Sequence, residues 1–178
     1  MPLPPALSDW FAAQGWALHP HQREMLARGA ARSTLLIAPT GGGKTLAGFL
    51  PSLAELADGH QGLHTLYISP LKALAADIRR NLRRPVEGAN LPIRIEDRTG
   101  DTTYTQRRRQ RADPPHILLT TPESLALLLS YEDAPRIFAG LQRVVVDELH
   151  ALAESKRGDQ LMLALSRLET LSPGLRRV

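Results

Sequence analysis

The octapeptide Ala38-Pro39-Thr40-Gly41-Gly42-Gly43-Lys44-Thr45 sits directly behind the apolar run Leu35-Leu36-Ile37, and it restricts the fold more than any other stretch. A strand that breaks into a glycine-rich turn and reopens as a helix is the layout of a phosphate-binding loop. Successive glycines accept backbone angles closed to other residues, so the N–H groups can turn inward onto an anion. The helix starting near Lys44 adds the positive end of its dipole at the same point. In this arrangement Pro39, Thr40, Gly41, Gly42, Gly43 and Lys44 cradle a polyphosphate, with Lys44 on its outer groups. The Thr45 hydroxyl is the expected magnesium ligand. Ala38 stands where the general pattern has its first glycine, a mild departure that asks only for an ordinary backbone angle.

From Thr34 onward short apolar runs alternate with helical patterns. Strands are predicted at Thr34–Ile37, His64–Ile68, Ile93–Glu96, Ile117–Thr120 and Arg143–Val146. Helices are predicted near Lys44–Leu56, Leu71–Leu82, Tyr104–Arg111, Glu123–Leu129 and Asp159–Leu171. Such alternation predicts an α/β fold, a mainly parallel sheet covered by helices on both faces. Residues 1–33 read as a helical lead-in: a helix from a Ser8 cap to Gln14 that buries Trp10 and Phe11, then another over His21 to Arg28. Gln22, about twenty residues ahead of the loop, carries both donor and acceptor and can read an adenine edge. As an isolated residue it is equally a polar group at a helix start.

The strand run Arg143–Val146 ends in Asp147-Glu148-Leu149-His150. In open parallel sheets ligands lie beyond the carboxyl ends of the strands, which is where these acids and the glycine loop both fall. Asp147 can then hold magnesium through water beside Thr45. Glu148 is placed to activate an attacking water, and His150 to couple the site to movements elsewhere. A pair of acids that merely caps the next helix is the competing reading.

Gln22, Ala38–Thr45 and Asp147–His150 together resemble motifs Q, I and II of a superfamily 2 DExH-box helicase. Gly15–Gln22, Ser69–Leu74, Thr99–Asp101, Thr120–Leu125 and the run from His150 to Asp159 resemble its Lhr-type branch, most closely the bacterial ligase-associated DEXH-box DNA helicases. The resemblance implies a three-layer RecA-like domain over residues 34–178, with ATP and Mg2+ as cofactors and ATP hydrolysis by the full-length enzyme. It implies single-stranded nucleic acid, DNA in that branch, as partner, a second RecA-like domain supplying arginines, and a functional link to a DNA ligase in repair. No Ser-Ala-Thr coupling segment occurs, so the chain is expected to stop just short of a complete first motor domain, its last strand lost with it.

The track for the nucleic acid falls, by the same resemblance, on Ser69, Pro70, Lys72, Thr99, Gly100, Thr120, Thr121 and Pro122. Physical reasons support parts of it: free amides after Ser69-Pro70 can grip a phosphate, with Lys72 adding charge. Thr121-Pro122 is equally explained as a helix cap followed by proline. Arg107-Arg108-Arg109-Gln110-Arg111 reads as a solvated helix that spreads its charges around the circumference, and Lys156-Arg157 as a weaker nucleic-acid candidate. Phosphate contacts do not separate DNA from RNA, so an RNA helicase stays an alternative, as does a nucleotide-gated binding module without turnover.

Composition narrows the rest. The absence of cysteine excludes disulfides and thiolate metal sites, and the histidines at 19, 21, 60, 64 and 116 lack metal-ligand spacing. No apolar stretch approaches the roughly 18 residues of a membrane span, and no basic-then-apolar leader opens the chain, so a cytoplasmic protein is expected. The net charge of +4 is compatible with a nucleic-acid partner.

Overall fold

The computed structural model describes residues 1–39, 41–153 and 155–178. Its centre is a parallel sheet of β1 (Thr65–Ile68), β2 (Ile95–Arg98), β3 (Ile117–Thr120), β4 (Arg143–Val146) and β5 (Arg176–Arg177), in the order β2-β3-β1-β4-β5. In the three central strands, Tyr67 stands level with Leu119 on one side and Val145 on the other. Side chains alternate across a strand, so each strand feeds two cores. Leu66, Ile68, Leu118 and Val144 face α6 (Pro122–Leu129), α7 (Ala134–Phe138) and α9 (Lys156–Leu171). Tyr67, Ile117, Leu119 and Val145 face α1 (Pro5–Ala13), α3 (Lys44–Leu56) and α4 (Lys72–Gly88). Two apolar faces with helices over each make the three-layer architecture expected from the sequence. The remaining helices are α2 (Pro20–Ala27), α5 (Tyr104–Ala112) and α8 (Leu149–Leu152).

Several predicted elements are corrected. Thr34–Ile37 is not a strand of the sheet: only Ser33 bridges Arg177, Thr34 N–H donates to the Arg177 carbonyl at 2.9 Å, and Leu35 and Ile37 are 74% and 85% exposed. Its pairing with the two-residue β5 is a single bridge. β5 occupies Arg176–Arg177, at the place where the last strand was expected to start. Pro4, not Ser8, precedes the first helix, which buries Leu7 with Phe11 and leaves Trp10 half-buried. The helix predicted to end near Leu82 runs to Gly88, carried through Pro85 by the buried Leu82, Pro85 and Val86.

A buried ionic cluster ties the amino ends of the central strands to α3. Arg143, 1% exposed, donates to both Glu55 carboxylate oxygens (2.9 and 3.1 Å), to Ser52 and to the Gly29 carbonyl. Arg176 reaches the same carboxylate at 2.5 and 3.0 Å, and His64 Nε2 lies 3.1 Å from it. The cluster occupies the end of β4 opposite to Asp147, leaving the carboxyl end free for chemistry.

Candidate ATP and nucleic-acid site

The glycine loop turns as the sequence requires. Gly41 and Gly43 have φ of 80° and 73°, the left-handed region that glycine enters without penalty, and Gly42 N–H closes a turn on the Pro39 carbonyl at 3.1 Å. The expectation for Thr40 lies outside the described residues. Gly43 caps α3, whose first-turn N–H groups, including those of Lys44 and Thr45, have no intrahelical acceptor.

Gln22 is 4% exposed and props this loop from behind. Its Oε1 accepts the His19 N–H at 2.9 Å, and its Nε2 donates to the Gly43 carbonyl at 3.3 Å. A Cβ on Gly43 would stand 2.7 Å from that Nε2, so a side chain there would displace the Gln22 amide as well as strain the backbone. One N–H and one lone pair of the amide are thereby committed to the chain, and the second of each is left for a base edge.

The acidic motif comes to the same place. Lys44 Nζ stands 3.7 Å from Glu148 Oε1, both side chains about one-third exposed, and His150 Nε2 lies 3.4 Å from Glu148 Oε2. Glu148 holds its backbone in the left-handed region, φ 51° and ψ 41°, where it caps α8. Asp147 is gripped twice: Glu148 N–H donates to its Oδ1 at 2.9 Å, and the Tyr67 hydroxyl donates to its Oδ2 at 2.7 Å. Burial, and then the neighbouring Asp147 carboxylate, push the Tyr67 phenol far above its ordinary pKa, so it stays a donor.

Tyr67 was not foreseen. It sits in an aliphatic strand and reads as core, although a buried tyrosine hydroxyl must find a partner, which was the available signal. Its contact orients the carboxylate without touching the phosphate site. Tyr67→Phe is therefore expected to leave the fold intact and to cut magnesium-dependent nucleotide binding several-fold. Equal magnesium dependence of labelled-nucleotide affinity in the two proteins would return Tyr67 to a packing role.

The nucleic-acid candidates line the carboxyl ends of β1, β2 and β3, beside the nucleotide site. Their hydroxyls are largely occupied. Ser69, fully buried, caps toward Leu71; Thr99 Oγ1 accepts the Asp101 N–H; and Thr120 Oγ1 donates to the Arg98 carbonyl at 2.8 Å. Thr121 accepts the Ser124 N–H as the cap of α6, with Pro122 buried behind it. Lys72 and Gly100 are exposed, and Lys72 pairs with Asp101 at 2.8 Å. The surface thus offers backbone amides at the starts of α4 and α6 more than side-chain hydroxyls.

Arg157 Nη2 donates to the Pro70 carbonyl and its Nε to Glu123, each at 2.5 Å, so the helix that follows the acidic motif is pinned beside two of the three candidate track segments. It reaches them because α8 and α9 cross closely: a Cβ on Gly158 would lie 2.1 Å from the Leu152 carbonyl oxygen.

Residues 19–177 match the family model of the DEAD/DEAH box helicases, and the chain belongs to that family. Within it the chain is similar to Lhr helicases. An Lhr helicase of Mycolicibacterium smegmatis is 45% identical over 178 residues, 92% of this chain and 12% of its own. An ATP-dependent helicase Lhr-Core protein 2 of Thermococcus barophilus is 41% identical over 181 residues, 92% of this chain and 21% of its own. The chain thus spans between about an eighth and a fifth of the length of these relatives. The solved structure of the Mycobacterium smegmatis helicase Lhr bound to ssDNA and AMP-PNP superposes with a TM-score of 0.90 at 43% identity, covering 98% of this chain and 24% of that one.

Proposed function

We propose that this chain is the ATP-binding first RecA-like domain of an ATP-dependent DNA helicase or translocase, residues 34–178 forming the motor unit and residues 1–33 the lead-in that carries Gln22. The reading rests on one observation above all: Lys44 and Glu148, separated by more than a hundred residues of chain, meet at 3.7 Å beside an oriented Asp147. Resemblance to an Lhr structure that holds ssDNA and AMP-PNP supports DNA and ATP as the ligands.

Entry of the polyphosphate requires the Lys44–Glu148 contact to open, so that the ammonium transfers to the outer phosphates through charge-assisted hydrogen bonds. The released Glu148 carboxylate then accepts a proton from the attacking water, and the His150 ring beside it holds that carboxylate in place. Among the described residues no group of three or more protein carboxylates or imidazoles forms a closed metal cage. Magnesium, which usually keeps several waters and leans on phosphates, fits such a site through Thr45 and the fixed Asp147 carboxylate, and would neutralise phosphate charge there.

Gln22 is the adenine reader in this proposal and also the prop of Gly43. Gln22→Ala is expected to weaken ATP and GTP binding together and, in addition, to narrow the preference for ATP. Unchanged selectivity in competition binding would leave only the propping role. Lys44→Ala is the test of the site itself: titration with labelled ATP should show affinity lost by about tenfold or more, as expected for a charge-assisted phosphate contact of 1.5–3 kcal/mol. Equal affinities would make the loop a mere turn. On this reading the protein works in the cytoplasm with a second RecA-like domain. The functional link to a DNA ligase in repair rests on sequence resemblance alone, and co-purification of the full-length protein with a ligase tests it.

A further inference from the structure

The basic run on α5 spreads only in part around the helix. Arg109 turns back to Glu96 at 2.6 Å, whereas Tyr104, Arg107, Arg108 and Arg111 follow the spacing of one helical face. With Tyr131 they line a cavity of about 140 Å³. Tyr104 is 80% exposed, and Arg111 lies 3.9 Å over the Tyr131 ring.

The charge around this face is unbalanced. Asp133 is shared by Arg111 and Arg136, and Glu96 serves Arg109. Arg98, Arg107 and Arg108 make no ion pair among the described residues. Arg98 is the costly member: it is 1% exposed, its Nη1 donates to the Arg107 carbonyl and Gln110, and its Nη2 has no partner. The Tyr131 ring lies 6.0 Å from the Arg98 guanidinium, but no carboxylate pairs with it among the described residues, and a buried cation so placed raises the local potential and favours an anion at the surface above it. The face is also continuous with the track. Arg107 Nη2 donates to the carbonyls of Thr99 and Gly100 at 3.0 and 2.9 Å, and the Arg98 carbonyl accepts from Thr120.

We propose that this face of α5 is a second contact for single-stranded nucleic acid, extending the track beyond Thr99-Gly100, with Arg108 on a phosphate and Tyr104 as a platform for one base. An exposed aromatic beside arginines is the combination that holds single strands without reading sequence. A bare phosphopeptide site would have no use for the aromatic ring. The proposal rests on the track reading above and extends it by about one nucleotide.

The experiment is an amide chemical-shift titration of the chain with short and longer oligo-dT, paired with fluorescence anisotropy on Tyr104→Ala and Arg108→Ala. Both side chains are exposed, so neither change threatens folding. Longer oligo-dT should shift α5 amides as well as those near Leu71 and Thr121, and short oligo-dT only the latter. Tyr104→Ala should cost about tenfold in affinity for the longer strand, and Arg108→Ala should reduce its salt slope by about 0.7. Shifts at the track alone, with both variants unchanged, would overturn the second contact and leave the track standing. Shifts on α5 alone would keep the contact and sink the track. An acidic peptide that shifts α5 where oligo-dT does not would overturn the proposal in favour of a protein partner.

Discussion

Phosphate release by the 178-residue chain is expected to fall below that of a full-length relative by about 10³–10⁵, the factor an arginine finger contributes in comparable nucleotide hydrolases. Three of the chain's arginines are spent elsewhere. Arg143 and Arg176 are locked on Glu55 at the far end of β4, and Arg157 is held by Pro70 and Glu123. Lys44 and Glu148 remain about one-third exposed, so water still reaches the charge that develops beside them. A steady-state assay with and without single-stranded DNA, with Glu148→Gln as background, measures this. Turnover that DNA stimulates and Glu148→Gln abolishes, at the level of a full-length enzyme, would mean the site is complete within these residues.

Glu55→Gln is expected to cost about 3–5 kcal/mol of folding stability, because it leaves the buried Arg143 guanidinium without its charge partner. The same cluster fixes the acid response. The Arg143, Arg176 and His64 contacts outweigh burial and hold the Glu55 carboxyl well below its ordinary 4.5. Its contribution is therefore full above about pH 4.5 and lost as pH falls toward the folded value. Burial outweighs the Glu55 contact at His64 and pushes the imidazole below its ordinary 6.5. The unfolded chain then binds the extra proton, and stability also falls as pH drops below about 6.5. Both groups act in one direction, in two stages. Denaturant midpoints across this range should show both stages in the wild-type chain, and Glu55→Gln should lose the lower one. A variant as stable as the parent at neutral pH would remove the cluster from the account of stability.

The chemistry-bearing stretches were legible because their tasks admit few residue types. Only glycine suits the backbone at Gly41 and Gly43, and acids at the end of a buried strand point to a ligand once a glycine loop falls at the same end. The residues that support them were not legible. Tyr67 reads as one more core side chain, and Arg143 heads what looks like an apolar run, because their partners, Asp147 and Glu55, are 80 and 88 residues away along the chain. Thr34–Ile37 carries the apolar character of a strand, but pairing needs a partner in register, which apolar character alone does not supply. The α5 face was visible in principle: Tyr104, Arg107, Arg108 and Arg111 already carry the spacing of one helical side, and only the count of charges drew the eye to the whole circumference.

The left-handed backbone at Glu148 sets fitness and robustness against each other at one position. A side chain in that region costs about 1–3 kcal/mol, which glycine would recover. Selection of this chain for heat resistance alone would accordingly enrich glycine or asparagine at position 148 and discard the group best placed to take a proton from water. A stabilised scaffold for crystallisation or binder work is thus obtained most directly by giving up the reaction, and a stabilised enzyme has to find its gain elsewhere in the chain.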